Sequence, residues 1–475
     1  MPRHLVVLVC ALLAGSALWA GDAAAVEAAE HHTPTAPAHV RRVPVTIRKL
    51  KGEHQVPIDY RSALRLAAAK NLDILQARAR LMEDRGARLR AIGRLLPSLS
   101  AGLETARIDG EIQASFGELG RRKFSTINPA GRVSLRVNPG EAIFELLAAH
   151  KRVGAAEHAS DGVTQETLAR VATQYFSLQA AEAQVGIAAS AVQTAKELRR
   201  LAYDRATLGV GLEADAARAE ARLAQEEVAL TSAEERFRDA SVDLADTLRL
   251  DPAVVLVPLE ANVRQLELTD AHQPLPQLLD RALAQRPELR ALGLRAAAAA
   301  DAQAAAWWKA LGPSAYGAVE ESGIGRSFAV GNRQIYEGFV GWTLTPSSVG
   351  ETRAAAARLE QTQLHQDQLK QAIRAEVVRA RDLVFTAKLR ISAGRRGVAA
   401  AQQSLTLSQD RFTGGAGLEL EVIEAQEALT TARTALVQAI AQYNAAQVRL
   451  IRAVGDVSVA TLTAFPTAPP GEASP

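Results

Sequence analysis

The chain is written twice. Residues 201–213 (LAYDRATLGVGLE) reappear as residues 407–419 (LSQDRFTGGAGLE), an offset of about 206 residues, far beyond the roughly 20–50-residue periods of solenoid arrays. A duplicated half of this size must build one architecture two times. Its helical signals fix what that architecture is. Val171, Leu178, Val185 and Val192 recur every seven residues, as do Val377, Val384, Ile391, Val398 and Leu405. Beyond the glycines run Leu223, Leu230, Phe237 and Leu244, matched by Leu429, Leu436, Tyr443 and Leu450. A seven-residue apolar repeat is a coiled-coil seam with a left-handed supercoil. Small companions in the second half (Ala380, Ala387, Gly394, Ala401) let backbones approach closely and favour a gently curved wall of helices over an isolated fat bundle.

Neither long arm contains proline between Gly140 and Thr207 or between Ser347 and Phe412, so each can run as one helix of roughly 100 Å. The glycine-rich turns Gly209–Gly211 and Gly414–Gly417 reverse the chain, giving two long antiparallel hairpins.

Each half also carries a non-helical interruption. In the first, Pro97–Glu104 is followed by a polar loop and then by Val133, Leu135 and Val137 alternating with Ser134, Arg136 and Asn138; period two with one apolar face predicts strands. In the second, Pro313–Val319 precedes Tyr336–Pro346, with Val340, Trp342 and Leu344 in the corresponding places. Four strands alone leave open edges and a bare apolar face. In a bilayer only a closed barrel satisfies the backbone, and three copies of four strands give twelve, an even number within the range of outer-membrane barrels. Trp307, Trp308, Tyr316, Tyr336, Phe339 and Trp342 lie in or beside the second strand pair, as interfacial girdles do.

Composition narrows the rest. Only 4% of residues are aromatic, so burial comes from many small contacts. The 55 basic and 52 acidic residues are interleaved as on solvated helix faces, with no basic cluster for nucleic acid. The expected organisation is a signal peptide (1–25, with Leu5–Leu13 apolar and Ala23–Ala25 small), a leader (26–57), a first repeat (58–250, strand pair about 97–139, tip about 205–215), an equatorial connector (251–276), a second repeat (277–455, strand pair about 313–346, tip about 411–421) and a flexible tail (456–475). The only cysteine, Cys10, falls in the signal segment and lacks the small preceding residues of a lipid-anchor site. Val254–Val257 in the connector reads as a short strand. No catalytic constellation is found, no cofactor or metal is expected, and the leader histidines His31, His32 and His39 read as solvated tail.

The second tip, Arg411–Gln426, resembles the TolC family of outer-membrane efflux and secretion channels: an aromatic residue (Phe412), glycines, then acidic, hydrophobic, hydrophobic, acidic, Ala (Glu421, Val422, Ile423, Glu424, Ala425). Val137-Asn138-Pro139 and Leu344-Thr345-Pro346 are similar to its strand-to-helix junctions. The resemblance implies a mainly α protein with a small β part: a homotrimer in the outer membrane closing a 12-stranded barrel over a periplasmic helical tunnel. It implies docking of the tips (Gly209, Gly211, Leu212, Gly415, Gly417, Leu418) to a periplasmic adaptor joined to an inner-membrane transporter. It also implies aperture carboxylates at Glu421, Glu424 and Asp215, and contact with outer-membrane lipid through Trp307, Trp308, Tyr336 and Trp342. Phe412 stands where Tyr is frequent, and Leu212 and Leu418 where Ser or Thr is. The competing reading, a periplasmic coiled-coil adaptor, needs one hairpin flanked by β-rich domains, whereas this chain has two hairpins and two strand pairs.

Overall fold

Two very long helices organise the described residues. A computed structural model describes residues 54–113, 116–209, 211–260, 263–326 and 329–464, all within the unit spanning residues 45–475. The signal segment and all of the leader before His54 lie outside them. Strand β1 (His54–Ile58) leads into helices α1 (Tyr60–Lys70) and α2 (Leu72–Gly93), then strands β2 (Ser98–Gln113) and β3 (Leu119–Val137). Helix α3 (Pro139–Thr207) and helix α4 (Glu213–Thr247) form the first hairpin. After β4 (Val254–Pro258) come α5 (Leu275–Gln285), α6 (Pro287–Leu311), β5 (Ser314–Arg326) and β6 (Ala329–Gly341). The second hairpin is α7 (Pro346–Thr413) with α8 (Glu419–Val454), and α9 (Val459–Thr463) follows.

α3 and α7 have 69 and 68 residues, about 100 Å each at 1.5 Å per residue. Each begins at a proline in its first turn, where the missing N–H costs nothing. At α3, Asn138 Oδ1 also accepts from Glu141 N at 3.1 Å. The heptad residues are the core. Val171, Leu178, Val185, Phe237 and Leu244 pack with Tyr60, Tyr175 and β4's Leu256. Val377, Val384, Ile391, Tyr443 and Leu450 form the second seam. Along its first part α3 packs between α2 and α6, and α6 packs on α7; further along, α3 packs on α4 and α8.

The connector is fastened by side-chain amides. β4 pairs in parallel with β1, so the end of the leader is a strand. Asn444 Oδ1 accepts from Leu266 N at 3.0 Å and its Nδ2 donates to Arg264 O at 2.8 Å. Gln447 Oε1 accepts from Leu268 N at 2.7 Å, and its Nε2 donates to Leu266 O at 2.5 Å. Both amides are buried. They supply the ladder that an extended segment would otherwise take from a neighbouring strand.

Two expectations are corrected. Residues 105–113 and 119–131 are not a polar loop: β2 and β3 continue as paired strands from Ser98↔Ser134 to Gln113↔Leu119. Opposite charges face across the pair, with Lys123 and Arg121 at 3.4 and 3.8 Å from Asp109. Cross-strand ion pairs let a polar sequence hold a ladder. Residues 456–464 are not a loose tail either. α9 is capped by Ser458, whose hydroxyl accepts from Thr461 N at 3.0 Å, and Leu462 is buried in the α1–α3 core.

The four long strands make one sheet in the order β2-β3-β5-β6. Register fixes its faces. Leu99, Val133, Val319 and Tyr336 share one row, and Val137, Ala315 and Val340 another on the same face. Leu99, Val133, Val319, Tyr336 and Val340 are exposed. The opposite face carries Ser100, Arg132 and Glu320, with Arg132 Nε donating to Glu320 Oε2 at 2.8 Å. Tyr316 and Phe339 fall on this polar face, where Arg136 lies 5.0 Å from the Tyr316 ring centroid. Tyr336 stands on the apolar one.

Candidate functional site

The two hairpin tips are built alike. After α3, Gly209 takes φ +71°, and after α7, Gly415 takes φ +75°, a left-handed conformation that side chains with a Cβ resist. Gly211 N then donates to Arg205 O at 3.0 Å, and Gly417 N to Arg411 O at 2.9 Å. A Cβ on Gly211 would stand 3.0 Å from Arg205 Cβ, and one on Gly417 2.9 Å from Arg411 Cβ, so both turns are closed too tightly for larger residues.

Leu212 and Leu418 are the N-caps of α4 and α8 and cannot bond the free N–H groups as Ser or Thr would. Acids in the first turn, Glu213 and Asp215 in α4 and Glu419 and Glu421 in α8, complement the helix dipole instead. The leucines remain 66% and 68% exposed, and Leu208 and Leu420 beside them are exposed too.

The tips lie against each other. Arg205 of the first donates Nη1 to Phe412 O of the second at 3.0 Å, and its guanidinium lies 4.7 Å from the centroid of the Phe412 ring. Phe412 is buried with Leu405, Val422, Ala425 and Leu429. Further up, Arg222 bridges Glu226 at 2.7 Å and Glu427 at 3.2 Å.

Of the predicted carboxylates, Asp215 pairs with Arg218 at 2.6 Å, Glu421 lies 3.5 Å from Arg411, and Glu424 is exposed. Three residues separate Glu421 and Glu424, which puts them on neighbouring positions of α8. Sequence reasoning missed Glu419. It is 3% exposed, and neither carboxylate oxygen has a hydrogen-bond partner. Burial, with Asp215 nearby, pushes its pKa up to about 7 against the opposing effect of Arg218.

At the other end, Trp308 is a joint. A Cβ on Gly140 would run into its ring, and Asn138 Nδ2 donates to its carbonyl at 3.0 Å. Trp307, Tyr336 and Trp342 are exposed. Among the described residues no group of three metal-ligating side chains converges, and no helix is long and apolar enough to cross a membrane.

Residues 343–456, the second hairpin, match the family described as outer membrane efflux protein. No curated protein matches the chain. Solved structures similar to it include the outer membrane protein VceC from Vibrio cholerae, with TM-score 0.72 and 18% identity over 83% of this chain and 96% of that one. The Campylobacter jejuni CmeC outer membrane channel gives 0.73 and 14% over 90% and 94%. The open state of the Neisseria gonorrhoeae MtrE outer membrane channel gives 0.69 and 18% over 83% and 88%. The second hairpin thus carries the outer-membrane efflux protein signature, and over most of its length the chain has the fold of these channels.

Proposed function

We propose that three copies of this chain form the exit duct of a tripartite efflux pump or type I secretion system, passing cargo from a periplasmic adaptor and inner-membrane transporter to the outside. The sheet carries this reading. Its outer strands β2 and β6 each lack a partner on one side among the described residues, and its apolar face is exposed. Three copies joined edge to edge leave no free edge and turn that face to lipid, with the Arg132–Glu320 face inward. Trp307, Trp308, Tyr336 and Trp342 then lie at the membrane boundary, and the duplicated hairpins descend as the tunnel wall. Leu212 and Leu418, exposed beside Gly209, Gly211, Gly415 and Gly417, are the apolar contacts for the adaptor. Glu421 and Glu424, with Asp215, ring the closed end and favour cations.

The tests are the mass in detergent, with that of three chains as the expected result, and planar-bilayer recording, with a preference for cations as the expected result. Glu421→Gln with Glu424→Gln lowers that preference. A monodisperse monomer that still inserts overturns the trimer; unchanged reversal potentials in a salt gradient overturn the carboxylate ring.

A further inference from the structure

The upper part of the helical wall holds a groove that the tips and the sheet do not account for. Residues of α2, α3, α6 and α7 line one cavity of about 1000 Å³. Helices packed side by side in that order can share a cavity only on the concave side of their wall. Its floor is alanine, including Ala149, Ala298 and Ala302, so a flat apolar body meets no protruding side chain there. Its rim is basic, six Lys and Arg against four Asp and Glu. Two of those acids are already neutralised: Glu145 is ion-paired with Arg94, and Glu351 with Lys309 at 2.8 Å. Arg90, Arg152, Arg295 and Arg358 have no ion-pair partner among the described residues, and they outnumber the two remaining acids, Asp84 and Glu141.

A second cavity of about 500 Å³ shares Arg295 with the first. Arg452, 12% exposed, gives Nε to Glu166 at 3.1 Å and Nη2 to Glu288, yet its Nη1 is buried without a partner. Thr167 is fully buried, and its Oγ1 is also unpartnered, as is one oxygen of Glu288. The two donors among these atoms, Arg452 Nη1 and Thr167 Oγ1, cost stability unless something accepts from them, whereas the Glu288 oxygen is itself an acceptor. Guanidinium forks beside an apolar floor fit carboxylate, sulfonate or phosphate groups carried on an apolar frame.

We propose that this two-chambered, alanine-floored and arginine-rimmed groove binds organic anions bearing several acidic groups, and that such anions are a cargo class of the duct. The cargo role rests on the duct reading, which turns the concave face toward the bore; the binding site itself does not.

The test is calorimetric titration of the purified full chain in a nonionic detergent with naphthalene-1,3,6-trisulfonate. The parent binds saturably, and the triple variant Arg152→Gln, Arg295→Gln, Arg358→Gln binds at least about tenfold more weakly. Those side chains make no ion pair among the described residues, and an unchanged helical melting curve verifies the fold of the variant. Arg295→Gln alone, at the point both cavities share, weakens binding in the same direction. No saturable binding by the parent, or equal affinity in the variants, overturns the site. Inorganic sulfate binds at least about tenfold more weakly than the trisulfonate; equal affinity overturns the assignment to an organic frame. Planar-bilayer recording is the separate arm. A parent that binds trisulfonate but conducts nothing refutes the duct and leaves the site, whereas a conducting parent with no calorimetric binding refutes the site alone.

Discussion

Glu213 and Glu419 hold the same place in the two repeated tips, yet only Glu419 is buried. Asp215 and Arg218 of the first tip lie close enough to Glu419 to act on its charge, a proximity that neither local motif contains. The consequence of the burial is a proton dependence. Glu419 in the folded tip holds its proton up to about pH 7, above the ordinary carboxylate range of the unfolded chain. The native state therefore binds more protons in that interval, and tip stability falls as pH rises from the carboxylate range through 7. Hydrogen exchange over residues 411–425, corrected for intrinsic rates, is less protected at pH 8 than at pH 5. Glu419→Gln removes this slope; an unaltered slope in the variant excludes Glu419 as its origin.

The seams were legible because burial follows the heptad: Val171, Leu178, Phe237, Val377 and Tyr443 all sit where the repeat puts them. The extent of the strands was not. Residues 105–113 and 119–131 look like a loop because their ladder is supported by charge pairs such as Asp109 with Lys123, visible only once the register is known. The connector is a similar case, since the amides that hold it are more than 170 residues away along the chain. Gln447→Leu strips partners from Leu268 N–H and Leu266 C=O, at about 1–3 kcal/mol for each buried group left unsatisfied. The variant melts at lower temperature, and limited proteolysis cuts within residues 264–269 faster than in the parent. Equal cleavage rates would mean that Asn444 alone suffices.

For the whole molecule, the two faces of the sheet make opposite demands. Val319→Lys places a charge on the apolar face in the row of Tyr336, near the membrane boundary, and costs up to about 1 kcal/mol of insertion for each of the three chains. Glu337→Gln, on the polar face, leaves insertion intact. Outer-membrane fractionation of both variants checks this, and equal recovery of the two contradicts a lipid-facing Val319. The open edges of β2 and β6 reach further still, into genetics. If one defective chain spoils a ring of three, a cell making equal amounts of sound and defective chains assembles only about one-eighth of its channels from sound chains alone. A mutation confined to one of these edges should therefore be dominant, with export falling far below half when both alleles are expressed.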